Sequence, residues 1–277
     1  MSDASVLPAA SPREISVERG FGVVISPDGM RLFSGMRDTH GVAVTDVATG
    51  ALVTVLGKAG DADGEFNGVR KLCVVPGETS TLLVVDQGHN RVTELGFDGS
   101  YRRALGGGEL DGPHGVCVFE NMIAVTEWTG HRVSVFDYAT GALVTRFGSP
   151  GSAPGCLASP CGIAYDPVSH ELFVTDQGNH RVSVFVWDGS SVRFSRLLAA
   201  SAGLSSPGDV TLLPAQALAI VDKGNNRVVI MARGAAHSDC ALAVLDGVSS
   251  PTSATTDGKC LYVLQREVGK IVCLALP

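Results

Sequence analysis

The sequence predicts an all-β, six-bladed β-propeller built from four-stranded antiparallel blades, and three observations predict it. The first is the string Val174-Thr175-Asp176-Gln177-Gly178-Asn179-His180-Arg181-Val182, in which β-branched residues flank a polar Gly/Asn turn, a hairpin signature. It recurs over 84–92, 125–133 and 220–228. The acidic residues Asp86, Glu127, Asp176 and Asp222 follow one another at 41, 49 and 46 residues, and the frame extends to Met36 and Gln265, giving six copies. The second is a register of strand-opening prolines, Pro113, Pro160, Pro207 and Pro251, at intervals of 47, 47 and 44. The third is Ala48-Thr49-Gly50-Ala51-Leu52-Val53-Thr54, which returns almost unchanged at 139–145, 91 residues and so two periods later. Several short strands per copy at a period in the forties is how propeller blades repeat.

Taken in order, residues 13–17 alternate polar and apolar as a short strand does. Blade one follows over 21–57, with a turn at Ser26-Pro27-Asp28-Gly29 where proline presets φ and glycine supplies the positive φ. Blades two to five are expected at 67–106, 112–148, 159–198 and 206–245. Blade six, 250–276, is one strand short, so the N-terminal strand is expected to complete it from outside and close the ring within a single domain. Loop-rich junctions are expected at 58–66, 149–157 and 199–204.

Composition narrows the function classes. With 34 glycines, 13 prolines and 45% hydrophobic residues the chain of 277 residues is globular and turn-rich. Residues 1–14 lack a basic start and an apolar stretch, and no apolar run nears the roughly 20 residues of a membrane helix, so a soluble, cytoplasmic protein is expected. Seven cysteines form no C-x-x-C pair, and Cys73 and Cys117 sit at equivalent places in apolar strands, which suits core thiols in a reducing compartment. A net charge of −7 lacks the basic excess usual for a phosphate-binding surface, which weakens the case for RNA or DNA and leaves room for a local basic patch.

The recurring Asp-x-Gly-Asn-x-Arg-Val between two strands resembles the NHL repeat, whose members build β-propellers. The resemblance implies two kinds of role. NHL propellers in tripartite-motif ubiquitin ligases recruit partners on one face, some of them single-stranded RNA. Related six-bladed enzymes place catalytic or metal groups around the central opening. Pro113-His114-Gly115 is similar to a zinc-ligand segment of peptidyl-amidoglycolate lyases, but the equivalent positions are Arg70 and Cys161, so a three-histidine site is not present. Pro160-Cys161-Gly162 is similar to the Pro-Asn-Gly of gluconolactonase-type lactonases, with a sulfur where calcium requires oxygen.

Candidate sites follow from the register. The residue after each strand-opening position is Phe21, Arg70, His114, Cys161, Gly208 or Thr252, one per blade at one channel mouth, with Lys71, Asp209 and Ser253 beside them. Arg70, His114 and Cys161 are the candidates for ligand contact or for hydrolase or lyase chemistry, Cys161 as nucleophile with His114 as base. Mixed polar groups meeting trapped water are the plainer account of the same positions. Arg91, Arg132, Arg181 and Arg227 either pair with the hairpin acids or form a crown that grips a partner. Trp128 replaces the Gln or Lys of the other clear copies, as a packing or a contact residue. His131 and His180 share one slot, but blade tips lie too far apart for a metal site. The expected function is a monomeric, non-catalytic scaffold binding a protein or peptide, with no cofactor and no metal. Channel-mouth catalysis is the alternative, and RNA binding through Arg91, Arg132 and Arg181 the third.

Overall fold

The computed structural model describes residues 13–36, 38–77, 80–198, 202–233 and 241–276. It contains six four-stranded antiparallel sheets, each formed from four strands consecutive in sequence except the last. The innermost strands are Gly20–Ile25, Val69–Val74, Pro113–Phe119, Pro160–Asp166, Asp209–Leu213 and Pro251–Thr256. Each packs against the next around an axis, and the sixth packs against the first. Among the described residues no helix is long and apolar enough to cross a membrane.

Closure is by the N-terminal strand. Arg13–Ser16 lies antiparallel to Lys270–Ala275, with Arg13 opposite Cys273 and Ser16 opposite Lys270. Its one inward side chain, Ile15, is buried with Val23 and Leu32 of blade one and Tyr262, Leu264 and Ile271 of blade six. The core is therefore six apolar wedges, each between neighbouring blades. Between blades one and two, for example, Phe33, Val42 and Val44 meet Phe66, Leu82 and Val84. Burial of alternate positions on both faces of each twisted sheet explains the β-branched and aromatic runs read from the sequence.

The hairpin motif holds consecutive blades together. Asp86, Asp176 and Asp222 are fully buried, and each has two jobs. One carboxylate oxygen accepts from a backbone N–H of the loop entering the blade, at Asn67, Ala158 and Ser205, at 2.6 to 2.7 Å. The other accepts from the arginine that opens the next strand. Glu127 accepts from the Asp111 N–H at Oε2 and from Arg132 at both carboxylate oxygens. Just ahead of each arginine, or of Gly41 in blade one, stands a residue in the left-handed region, His40, Asn90, His131, His180 or Asn226, with φ between 50° and 55°. Its side-chain acceptor takes the backbone N–H just ahead of the following inner strand, at Gly68, Gly112, Ser159, Ser206 and Ser250, at 2.8 to 2.9 Å. Asn and His alternate in this slot because both tolerate positive φ and both carry an acceptor, Oδ1 or Nδ1, at the same reach. His131 and His180 are thus blade-to-blade clips.

The two irregular copies flank the closure. Gln265 keeps the loop contact, accepting from the Ser249 N–H at 3.0 Å. Met36 is simply buried, because blade one is entered from the closing strand and not by a loop like the others. Arg37, next to it, lies outside the described residues, as do residues 1–12, 199–201 and 277.

Candidate functional site

Four of the six inner strands begin Pro or Gly, variable residue, then a residue pinned against the neighbouring blade. A β-bulge falls at this point: Pro113 lies opposite Glu127 but Gly115 opposite Thr126, so His114 is the extra residue. Phe21 and Thr252 are extra in the same way, and the register also slips across Arg70–Lys71 and Cys161–Gly162. Bulges bend the strand and re-aim side chains, here toward the axis. The glycine that follows is required by space. A Cβ on Gly115 would lie 2.1 Å from the Cys161 carbonyl oxygen, and one on Gly162 would lie 2.6 Å from the Asp209 Cα. The Pro-x-Gly segments therefore report how closely the inner strands approach.

Above this ring the hairpins contribute a second one. The residue after each hairpin acid, Gln87, Trp128, Gln177 or Lys223, turns inward, and with Phe21, Arg70 and His114 these line a mouth of about 470 Å³. The hairpins bond to one another around it. The Trp128 indole donates to Gln177 Oε1 at 3.2 Å, Gln87 Oε1 receives Arg70 Nε at 2.7 Å, and the Gln87 amide donates to the Pro113 carbonyl at 3.3 Å. Trp128 is 42% exposed, so it both packs on the next blade and presents a face to solvent.

The mouth is cationic. The Arg70 and Arg266 guanidinium carbons each stand 4.1 Å from the Phe21 ring centre, within cation–π range. His114 meets the Phe21 edge with ring centres 6.5 Å apart. Burial, and then the charges of Arg70, Lys71 and Lys223, hold the His114 imidazole well below its ordinary pKa, so it is neutral at pH 7. Its Nδ1 is sealed from solvent without a hydrogen-bond partner among the described residues.

A strut crosses the axis below. Lys71 in blade two reaches blade five, diametrically opposite, where its Nζ lies 2.8 Å from Asp209 Oδ2 and also donates to the Thr252 carbonyl at 2.6 Å. Ser253 Oγ donates to the same carboxylate oxygen at 2.5 Å. Burial pulls the Lys71 pKa down and the Asp209 charge opposes that fall. The strut divides the channel into the upper mouth and a lower chamber of about 310 Å³ walled by Val23, Leu72, Val116, Ile163 and Tyr165.

The other sequence candidates are placed elsewhere. Cys161 is 1% exposed and does not line the mouth; its thiol donates to the Ser159 carbonyl at 3.6 Å, and burial pushes its pKa up to about 12. No hydrogen bond joins it to His114 among the described residues. Arg91, Arg132, Arg181 and Arg227 face back into their blades. Beyond its acid, Arg91 holds the Glu65 carbonyl, Arg132 that of Glu109, Arg181 those of Ser152, Ala153 and Cys156, and Arg227 that of Ala202. Among the described residues no three His, Cys, Asp or Glu converge as a metal site. Sequence reasoning found Arg70, His114 and Trp128 but missed Gln87, Gln177, Lys223 and Arg266. The signal was present: theirs is the variable slot of an otherwise repetitive hairpin.

Comparison with known proteins agrees with this architecture. Residues 157–185, which carry the most regular copy of the hairpin, match the family model of the NHL repeat. The chain is a six-bladed β-propeller that carries an NHL repeat at these residues. No curated protein matches its sequence. Among solved structures, the β-propeller domain of Cps50 (Swd1) from Myceliophteria thermophila superposes with a TM-score of 0.68 at 13% identity, covering 96% of this chain and 100% of that one. Hydrazine synthase of Kuenenia stuttgartiensis gives 0.67 at 14% identity, covering 100% and 99%. A catalytically inactive virginiamycin B lyase from Staphylococcus aureus with quinupristin gives 0.67 at 12% identity, covering 96% and 99%. At these identities the likeness shows the fold alone.

Proposed function

We propose that this NHL propeller is a non-catalytic binding module that receives a segment of a protein or peptide partner in its upper mouth. The observation that carries the reading is the inward turn of the variable hairpin slot, which assembles Gln87, Trp128, Gln177 and Lys223 from four blades around one cavity. Side chains that build the blade repeat, whereas the slot lining the mouth holds glutamine in two copies, tryptophan in one and lysine in another, as expected where recognition and not folding selects them. A half-exposed tryptophan beside two side-chain amides supplies an apolar anchor with polar registration, the composition of a binding hot spot. Nucleophilic chemistry is not supported, because the Cys161 thiol is sealed and protonated at neutral pH.

Selection of a displayed random heptapeptide library on the wild-type protein tests this. Recovered peptides are expected to lose at least about tenfold in affinity on Trp128→Ala, the scale of one hot-spot residue. Peptides that bind Trp128→Ala and Gln177→Ala as well as wild type would remove the mouth from the account.

A further inference from the structure

We infer that the upper mouth is an oxyanion-binding site, taking a carboxylate or a phosphate group as the anchor of whatever enters it. This rests on the mouth being the binding site and names what it selects. Three cationic side chains, Arg70, Lys223 and Arg266, surround Phe21 and His114, on a molecule whose formal net charge is −7. The Lys223 ammonium has no hydrogen-bond or ion-pair partner among the described residues. Its stem lies against Gly208, with Cβ and Cδ 3.7 and 3.9 Å from where a side chain would begin there. Arg266 Nε is buried and lacks a hydrogen-bond partner among the described residues. Buried donors without partners are rare in folded proteins because each carries a desolvation penalty, and a ligand supplying acceptors relieves it.

Asp209 is held by Lys71 and Ser253 beneath it, and Asp111 at the rim is the one carboxylate among the lining residues. An oxyanion placed against Lys223 in the mouth, with Arg70 on the same lining, would gain charge-assisted hydrogen bonds in a partly desolvated cavity, where they are stronger than at an open surface. The volume of about 470 Å³ admits a group of the size of a terminal amino-acid residue or a phenyl ester.

Calorimetric titration of the full chain tests this with three probes: N-acetylphenylalanine, its uncharged primary amide, and phenyl phosphate. At low salt at least one of the two oxyanions is expected to bind, and the amide at least about tenfold more weakly, as loss of a charged hydrogen bond predicts. Lys223→Ala is expected to weaken the oxyanion about tenfold, with Lys223→Arg restoring most of it and thermal unfolding of both variants unchanged. A carboxylate preference identifies an acidic or C-terminal peptide anchor; a phosphate preference identifies a phosphorylated one. Equal affinity for acid and amide, no binding by either oxyanion, or indifference to Lys223→Ala would overturn the inference. If library-selected peptides still depended on Trp128 in that event, the mouth would stand and only its anion selectivity would fall.

Discussion

Single side chains around the axis show how environment decides what a residue can do. His114 and Cys161 hold equivalent positions one blade apart, and the register slips at both, yet His114 lines the mouth while Cys161 is buried with its thiol on the Ser159 carbonyl. The neutral imidazole has a consequence for pH. Its folded pKa lies below the ordinary 6.5, so the unfolded chain takes up the proton first as pH falls through about 6.5. Stability is therefore lost from there downward, by up to about 1.4 kcal/mol per pH unit, until the folded pKa is reached. His114→Gln should flatten that part of the profile in urea unfolding at pH 7.5, 6.5 and 5.5. Equal slopes for wild type and variant would show that His114 is solvated and titrates normally. Register along the chain places Arg70, His114 and Cys161 together at the mouth and Trp128 on a hairpin turn as a packing or contact residue; in the structure Trp128 joins Arg70 and His114 there and Cys161 does not. Register fixes which strand position a residue holds but not how deeply its side chain is buried, which is set by the neighbouring blade.

At the scale of the hairpin, a single string of residues folds the turn, ties in the incoming loop and clips the next blade. The acid–arginine pairing was legible from the string itself. Its depth was not, because the carbonyls that the arginines hold lie on loops some 25 residues away in sequence, as with Arg181 and Cys156. A crown of gripping arginines and a buried brace have the same spelling. The brace makes a graded prediction for thermal unfolding. Asp176→Ala strands Arg181 and the Ala158 N–H, at about 3–5 kcal/mol, the range for breaking a buried charged pair. His131→Ala removes one clip to the Ser159 N–H at about 1 kcal/mol, whereas His131→Asn keeps the acceptor and should be near neutral. An Asn variant as unstable as the Ala variant would mean that ring packing, not the acceptor, matters in this slot.

Across the whole molecule, six sheets are held by wedges between blades, by the closing strand outside and by one ion pair inside. The period and the missing sixth-blade strand made the ring and its closure legible, because both are counts. The strut from Lys71 to Asp209 was not, since it joins blades that are 138 positions apart in sequence and adjacent only through the axis. Removing either partner leaves a buried charge, so Lys71→Met and Asp209→Asn should each cost about 3–5 kcal/mol. In a double-mutant cycle they should be strongly non-additive, with the double variant recovering much of the loss. Additive losses would place the two side chains apart and open the channel end to end.

The mouth itself can be watched directly, because the chain has two tryptophans in contrasting places. The Trp128 indole N–H bonds Gln177 at the mouth, and that of Trp187 bonds Glu120 in a buried site of the outer wedge. In a nitrogen–proton correlation spectrum, assigned with Trp128→Phe, titration with a library-selected heptapeptide should move the Trp128 indole signal saturably and leave that of Trp187 in place. A still Trp128 signal, or movement of Trp187 instead, would put the partner on another surface of the propeller.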